Sequence, residues 1–75
     1  MRRFLTYGCF RSYELGMQAL KDIYLACLSV SSPIFAIILT ELRQLVESCD
    51  DLDLRWVNTT VLDDAVKWCL DMSKA

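Results

Sequence analysis

Between Tyr13 and Val30 the apolar residues Tyr13, Met17, Leu20, Ile23, Tyr24, Cys27 and Leu28 recur at steps of three and four. Glu14, Gln18, Lys21 and Asp22 take the other side. That period predicts an amphipathic helix over about 13–30. Ser12 stands in position to cap its first amides and Glu14 suits the positive end of its dipole. Gly16, by contrast, weakens the helix by up to about 1 kcal/mol relative to Ala.

Ser32-Pro33 reads as a second start signal, because Ser accepts from free amides and Pro at the first helical position lacks only a donor that has no use there. From Pro33 to about Cys49, Phe35, Ile38, Leu39, Leu42, Leu45, Val46 and Cys49 form one stripe. Glu41, Gln44, Glu47 and Ser48 lie opposite. A connection this short predicts that the first two helices form an antiparallel αα-hairpin.

Asp50-Asp51 reads as a solvated turn. Leu52, Leu54 and Trp56 then alternate with Asp53, Arg55 and Val57, a period of two that suits a short strand, for which Arg3–Tyr7 is a candidate partner. Thr60-Val61-Leu62-Asp63 resembles a capping box, so the third helix is expected over about 61–74, with Leu62, Ala65, Val66, Cys69 and Met72 inward and Trp68 at the margin. The expected fold is a mainly α single domain over residues 1–75. It has three helices, an optional two-stranded β pair, and a basic-aromatic segment at 1–11.

Composition adds a surplus. Counted with Gly and without Tyr, 40 of the 75 residues are apolar, above the roughly 45–50% of ordinary soluble domains. In so short a chain some of that surface is left after folding, either as the ordinary richness of a small helical domain or as a partner face. The run Ile23–Thr40 is uncharged and approaches a membrane span in length. Ser29, Ser31, Ser32 and Pro33 in its middle read instead as a break between two helices. The N-terminus lacks the apolar stretch of a signal peptide, and no stable membrane insertion is expected.

The formal net charge of −2 divides into +3 over residues 1–21 and −5 over the rest. Cys9, Cys27, Cys49 and Cys69 are widely spaced, and no His is present. A zinc site is therefore not expected, and Cys27, Cys49 and Cys69 on apolar faces read as reduced core thiols in an intracellular, cytoplasmic protein. The missing His removes the usual nucleophile-base pairs, and two glycines make no phosphate loop. Asp50, Asp51 and Asp53 begin like a calcium loop, but Arg55 and Val57 stand where it should continue. Asn58-Thr59-Thr60 fits the N-glycosylation pattern, which matters only on export.

These exclusions predict no enzyme, no cofactor and no evident small-molecule substrate. The expected function is stoichiometric: a protein-binding module acting as regulator, inhibitor or small subunit of a larger protein or a homo-oligomer. Ile34 and Ile37, which make the start of the second helix apolar nearly all round, and Trp56 and Trp68, as aromatic anchors, are the candidate partner-binding residues. Core residence is the competing expectation for all four. The alternative function is nucleic-acid binding through Arg2, Arg3, Phe4, Tyr7 and Arg11, which interleave cations with aromatics. Three arginines beside an otherwise acidic chain weigh against it.

Overall fold

The computed structural model describes residues 9–74, which form three helices: α1 (Tyr13–Val30), α2 (Ile34–Glu47) and α3 (Leu52–Ser73). The start of α1 follows the predicted chemistry, with Ser12 extended and its Oγ accepting from the Leu15 amide at 3.2 Å. The helix ends at Ser31, whose φ of 52° is left-handed, while the amide of Ser32 returns to the Cys27 carbonyl at 3.0 Å. Such an ending is usually made by Gly, which has no Cβ to crowd the turn.

Helix α2 begins one residue later than expected. Pro33 takes the cap position itself, and the Ser32 hydroxyl accepts from the Ile34 amide at 3.2 Å, so serine still meets one of the first free donors. Its far end is closed from outside. Arg55 donates from Nε to the Val46 carbonyl at 3.1 Å and from Nη2 to the Glu47 carbonyl at 2.8 Å, placing a cation where the dipole is negative.

The largest correction concerns α3. Leu52–Val57, expected as a strand, is the first part of this helix, and no strand occurs among the described residues; the proposed partner Arg3–Tyr7 lies outside them. Asp51 caps the helix, its carboxylate accepting from the amides of Asp53 and Leu54, and Asp53 adds charge to the first turn. Asp51 to Asp53 thus serve a helix start. Thr60, expected as a cap, lies mid-helix and donates its hydroxyl to the Trp56 carbonyl at 3.0 Å. Alternation over six residues misled because Leu52 and Trp56 face solvent, whereas Val57, Asn58, Val61, Leu62 and Ala65 continue from the half-buried Leu54 at helical steps into the core.

Met17, Leu20, Ile38, Leu42, Val46, Val61, Leu62 and Ala65 form the core, with Phe10, Ile23, Phe35, Leu39, Leu45 and Val57 packed around it. Both α1 and α2 pack chiefly on α3 and touch each other least. Gly16 lies where α1 crosses close to α3: a Cβ there would stand 2.8 Å from Val61 Cγ2 and 3.1 Å from Phe10 Cδ2. Its cost in helix propensity thus permits a close helix crossing. Leu28 and Met72, expected inward, are exposed; Cys27, Cys49 and Cys69, expected as core thiols, are free and half-buried but outside the core cluster, against which Cys9 packs instead.

Candidate protein-interaction surface

The segment before α1 is fastened to α3 by one side chain. Asn58, fully buried, accepts from the Phe10 amide and donates to the Phe10 carbonyl, both at 2.8 Å, and also donates to the Leu54 carbonyl at 2.8 Å. Its amide is saturated by backbone at both ends, which is how a polar group is kept in an apolar core without penalty. This buried Asn occupies the position read as a glycosylation triplet.

Uncovered apolar side chains gather near the joint between α1 and α2. Leu25, Leu28, Val30, Ile34 and Ile37 are all exposed there, Leu28 by 56% and Val30 by 71%, within the uncharged run from Ile23 to Thr40. No charged side chain of that run interrupts the patch. Its origin is local: the inward positions of α2's first turns are already filled by Phe35 and Ile38, so Ile34 and Ile37 on the remaining faces stay 38% and 49% exposed.

The four candidate anchors do not form one site. Trp56 is 71% exposed on the first turns of α3. It adjoins Arg55, which sits at the C-terminal end of α2, whereas Ile34 and Ile37 occupy the N-terminal end of that 14-residue helix, about 20 Å away along its axis. Trp68 is half-buried in an aromatic row, edge-on to Tyr24 at 5.5 Å, with Tyr24 in turn edge-on to Phe35 at 5.3 Å. Lys21 places its ammonium 5.3 Å from the Trp68 ring centre, a cation–π contact. The row, with Tyr24 at its centre, therefore ties the three helices together.

A shallow cleft of about 360 Å³ runs between α1 and α3 beside this row. Its charges, Lys21 and Lys67 against Asp64 and Asp71, are mixed in sign, so it favours no single ionic ligand. At its edge the Tyr13 hydroxyl donates to Asp64 at 2.6 Å, and that bond, more than burial or the charges of Asp64 and Glu14, holds the phenol above its ordinary pKa. Among the described residues no group of His, Cys, Asp or Glu is arranged to hold a metal ion, and no helix is long and apolar enough to cross a membrane. Of the basic-aromatic segment, Arg11 is exposed, whereas Phe10 packs against the core; Arg2, Arg3, Phe4 and Tyr7 lie outside the described residues.

Sequence reasoning missed Asn58, Arg55 and Gly16, which organise the fold. A signal for Arg55 was present: a helix beginning at Asp51 places an arginine in its second turn, next to the carbonyls of the preceding helix end.

Among the described residues the arrangement is a mainly α fold that keeps part of its apolar surface uncovered. The sequence matches the family model described as SHQ1 protein, Shq1 domain, over residues 1–75, and the chain belongs to that family. Comparisons with curated proteins and with solved structures return no match.

Proposed function

We propose that this chain works stoichiometrically, as a protein-binding element that lays the apolar joint of α1 and α2 against a partner protein. The observation that carries this reading is the exposure of Leu28, Val30, Ile34 and Ile37 within an uncharged run. Fully burying such a side chain is worth roughly 1.5–3 kcal/mol, and a contiguous apolar patch is the usual mark of a docking face. Membership of the Shq1-domain family supports it, since these are assembly factors that act with partner proteins. In this reading α1 and α2 act as an antiparallel pair whose joint meets the partner, and no cofactor or catalytic step is involved. Four free thiols agree with an intracellular setting.

The test replaces Ile34 and Ile37 together by Lys. Both are exposed, so helical circular dichroism and cooperative melting should persist while capture of the partner weakens at least tenfold. Sedimentation at several concentrations separates a second copy of the chain from a heterologous protein. Retained binding by a folded double variant overturns the reading and moves attention to Trp56 and Leu52. Nuclease-sensitive capture would instead favour the basic-aromatic segment and a nucleic-acid partner.

A further inference from the structure

Both α1 and α2 pack against the side of α3 that carries Asn58, Val61, Leu62 and Ala65. The opposite side of a helix so placed is expected to be polar throughout, and here it is not. Leu52, Trp56, Thr59, Asp63, Lys67 and Leu70 follow one another at steps of four and three and are all exposed. Those steps gather them within about 80° of arc on the outer face, along about 27 Å of the helix axis. Its apolar members, Leu52, Trp56 and Leu70, stand at the two ends of this stripe.

Turned end for end, the stripe lies on itself: Leu52 exchanges with Leu70, Trp56 with Lys67 and Thr59 with Asp63. The charges follow the same order. Asp53, exposed in the first turn of α3, stands one turn before Trp56, and Lys67 stands toward the other end. A parallel pairing of two such faces would set Asp53 on Asp53 and Lys67 on Lys67. An antiparallel pairing instead brings each Lys67 ammonium to Trp56 and Asp53 of the facing helix, an ion pair beside a cation–π contact.

From this self-complementarity we infer that the outer face of α3 is a homodimer contact, on which α3 of a second copy of the chain lies antiparallel about a two-fold axis level with Val61. Leu52 then covers Leu70 of the second copy, and the short Thr59 side chain lets the helices approach at the middle. The face is separate from the α1–α2 joint, so the inference stands apart from the function proposed there. One helix from each copy makes a small interface, with polar residues at its centre, and a dissociation constant on the order of 10–100 µM is expected.

Sedimentation of the chain from about 10 to about 500 µM should show a monomer–dimer equilibrium, and it should persist in the Ile34→Lys, Ile37→Lys variant. Asp53→Lys alone and Lys67→Glu alone each set like charges face to face at both ends of the contact and should weaken the dimer about tenfold. Helical circular dichroism should be unchanged in both, since both positions are exposed. Mixed in equal amounts, the two variants should associate again, because every Lys then faces an acid, and native mass spectrometry should find one copy of each in the dimer. A chain monomeric throughout, a dimer lost with Ile34→Lys and Ile37→Lys, single variants that associate like the parent, or a mixture that associates no better than its components overturns the proposal.

Discussion

The side-chain amide of Asn58 holds the backbone of Phe10 at both its N–H and its C=O, each at 2.8 Å, across 48 residues of chain. The pairing resembles one rung of a β-ladder made by a side chain, and it lies where the core would otherwise end in an unpaired strand of backbone. Asn58→Ala would leave both Phe10 groups without their partner, and a loss of about 2–4 kcal/mol is expected, read by urea denaturation. Asn58→Asp should cost at least as much at neutral pH, since a carboxylate cannot donate to the Phe10 and Leu54 carbonyls. Lowering the pH should recover part of that loss by restoring one donor; a deficit unchanged by acid would contradict the assigned hydrogen bonds.

Gly16→Ala sets helix propensity against packing. On an exposed helix the change gains up to about 1 kcal/mol, but here the added methyl meets Val61 inside van der Waals contact. The crossing of α1 and α3 must open, and a net loss of about 1–3 kcal/mol is expected. Pairing Gly16→Ala with Val61→Ala should recover much of it, so the double-mutant cycle measures the contact itself.

Ser31→Gly should stabilise. The left-handed φ of Ser31 is paid in backbone strain that Gly does not incur, while the greater freedom of Gly in the unfolded chain offsets part of the gain. A net gain of up to about 1 kcal/mol is expected, seen as a rise in melting temperature without change in helical content.

Alkaline pH should weaken the fold from a defined side. Burial, joined at Cys9 by the neighbouring Cys49, raises the thiols of Cys9 and Cys69 in the folded chain, and the bond to Asp64 raises the Tyr13 phenol. The unfolded chain then binds fewer protons in this range, so stability is level below the unfolded thiol value and falls as pH climbs from about 8 to 10. Thermal melts across that range check the slope under reducing conditions. Replacing Cys9 and Cys69 by Ala should flatten its lower part, and Tyr13→Phe its upper part.

How far the sequence could be read depended on how many turns carried the evidence. The extent of α1 and the core positions Met17, Leu20, Ile38, Leu42 and Val46 followed from periodicity sustained over several turns. Leu52–Val57 did not, because a helix of which one side is solvated can alternate over six residues, and only the next two turns disclose its period. Asn58 was hidden for another reason: a polar residue in a core is recognisable only once its partners, here the backbone of residues 10 and 54, are in place. The apolar start of α2 was legible as a surplus, since Phe35 and Ile38 already fill its inward side. That Trp68 faces an aromatic row while Trp56 faces solvent depends on Tyr24, which reaches Trp68 from α1 and is itself met by Phe35 from α2.

The role of α3 as the common mate of α1 and α2 governs what happens while the chain is being made. A polypeptide leaves the ribosome N-terminus first, so α1 and α2 emerge before the 22 residues of the helix on which both bury their stripes. At about 5–20 residues per second, synthesis of α3 occupies roughly one to four seconds. Throughout that interval Leu20, Ile38 and Leu42 share the exposure that Leu28, Val30 and Ile34 retain after folding, and the run from Ile23 to Thr40 carries no charge to solvate it. Until Val61, Leu62 and Ala65 arrive, the stripes of α1 and α2 lack the surface on which they are buried in the finished fold.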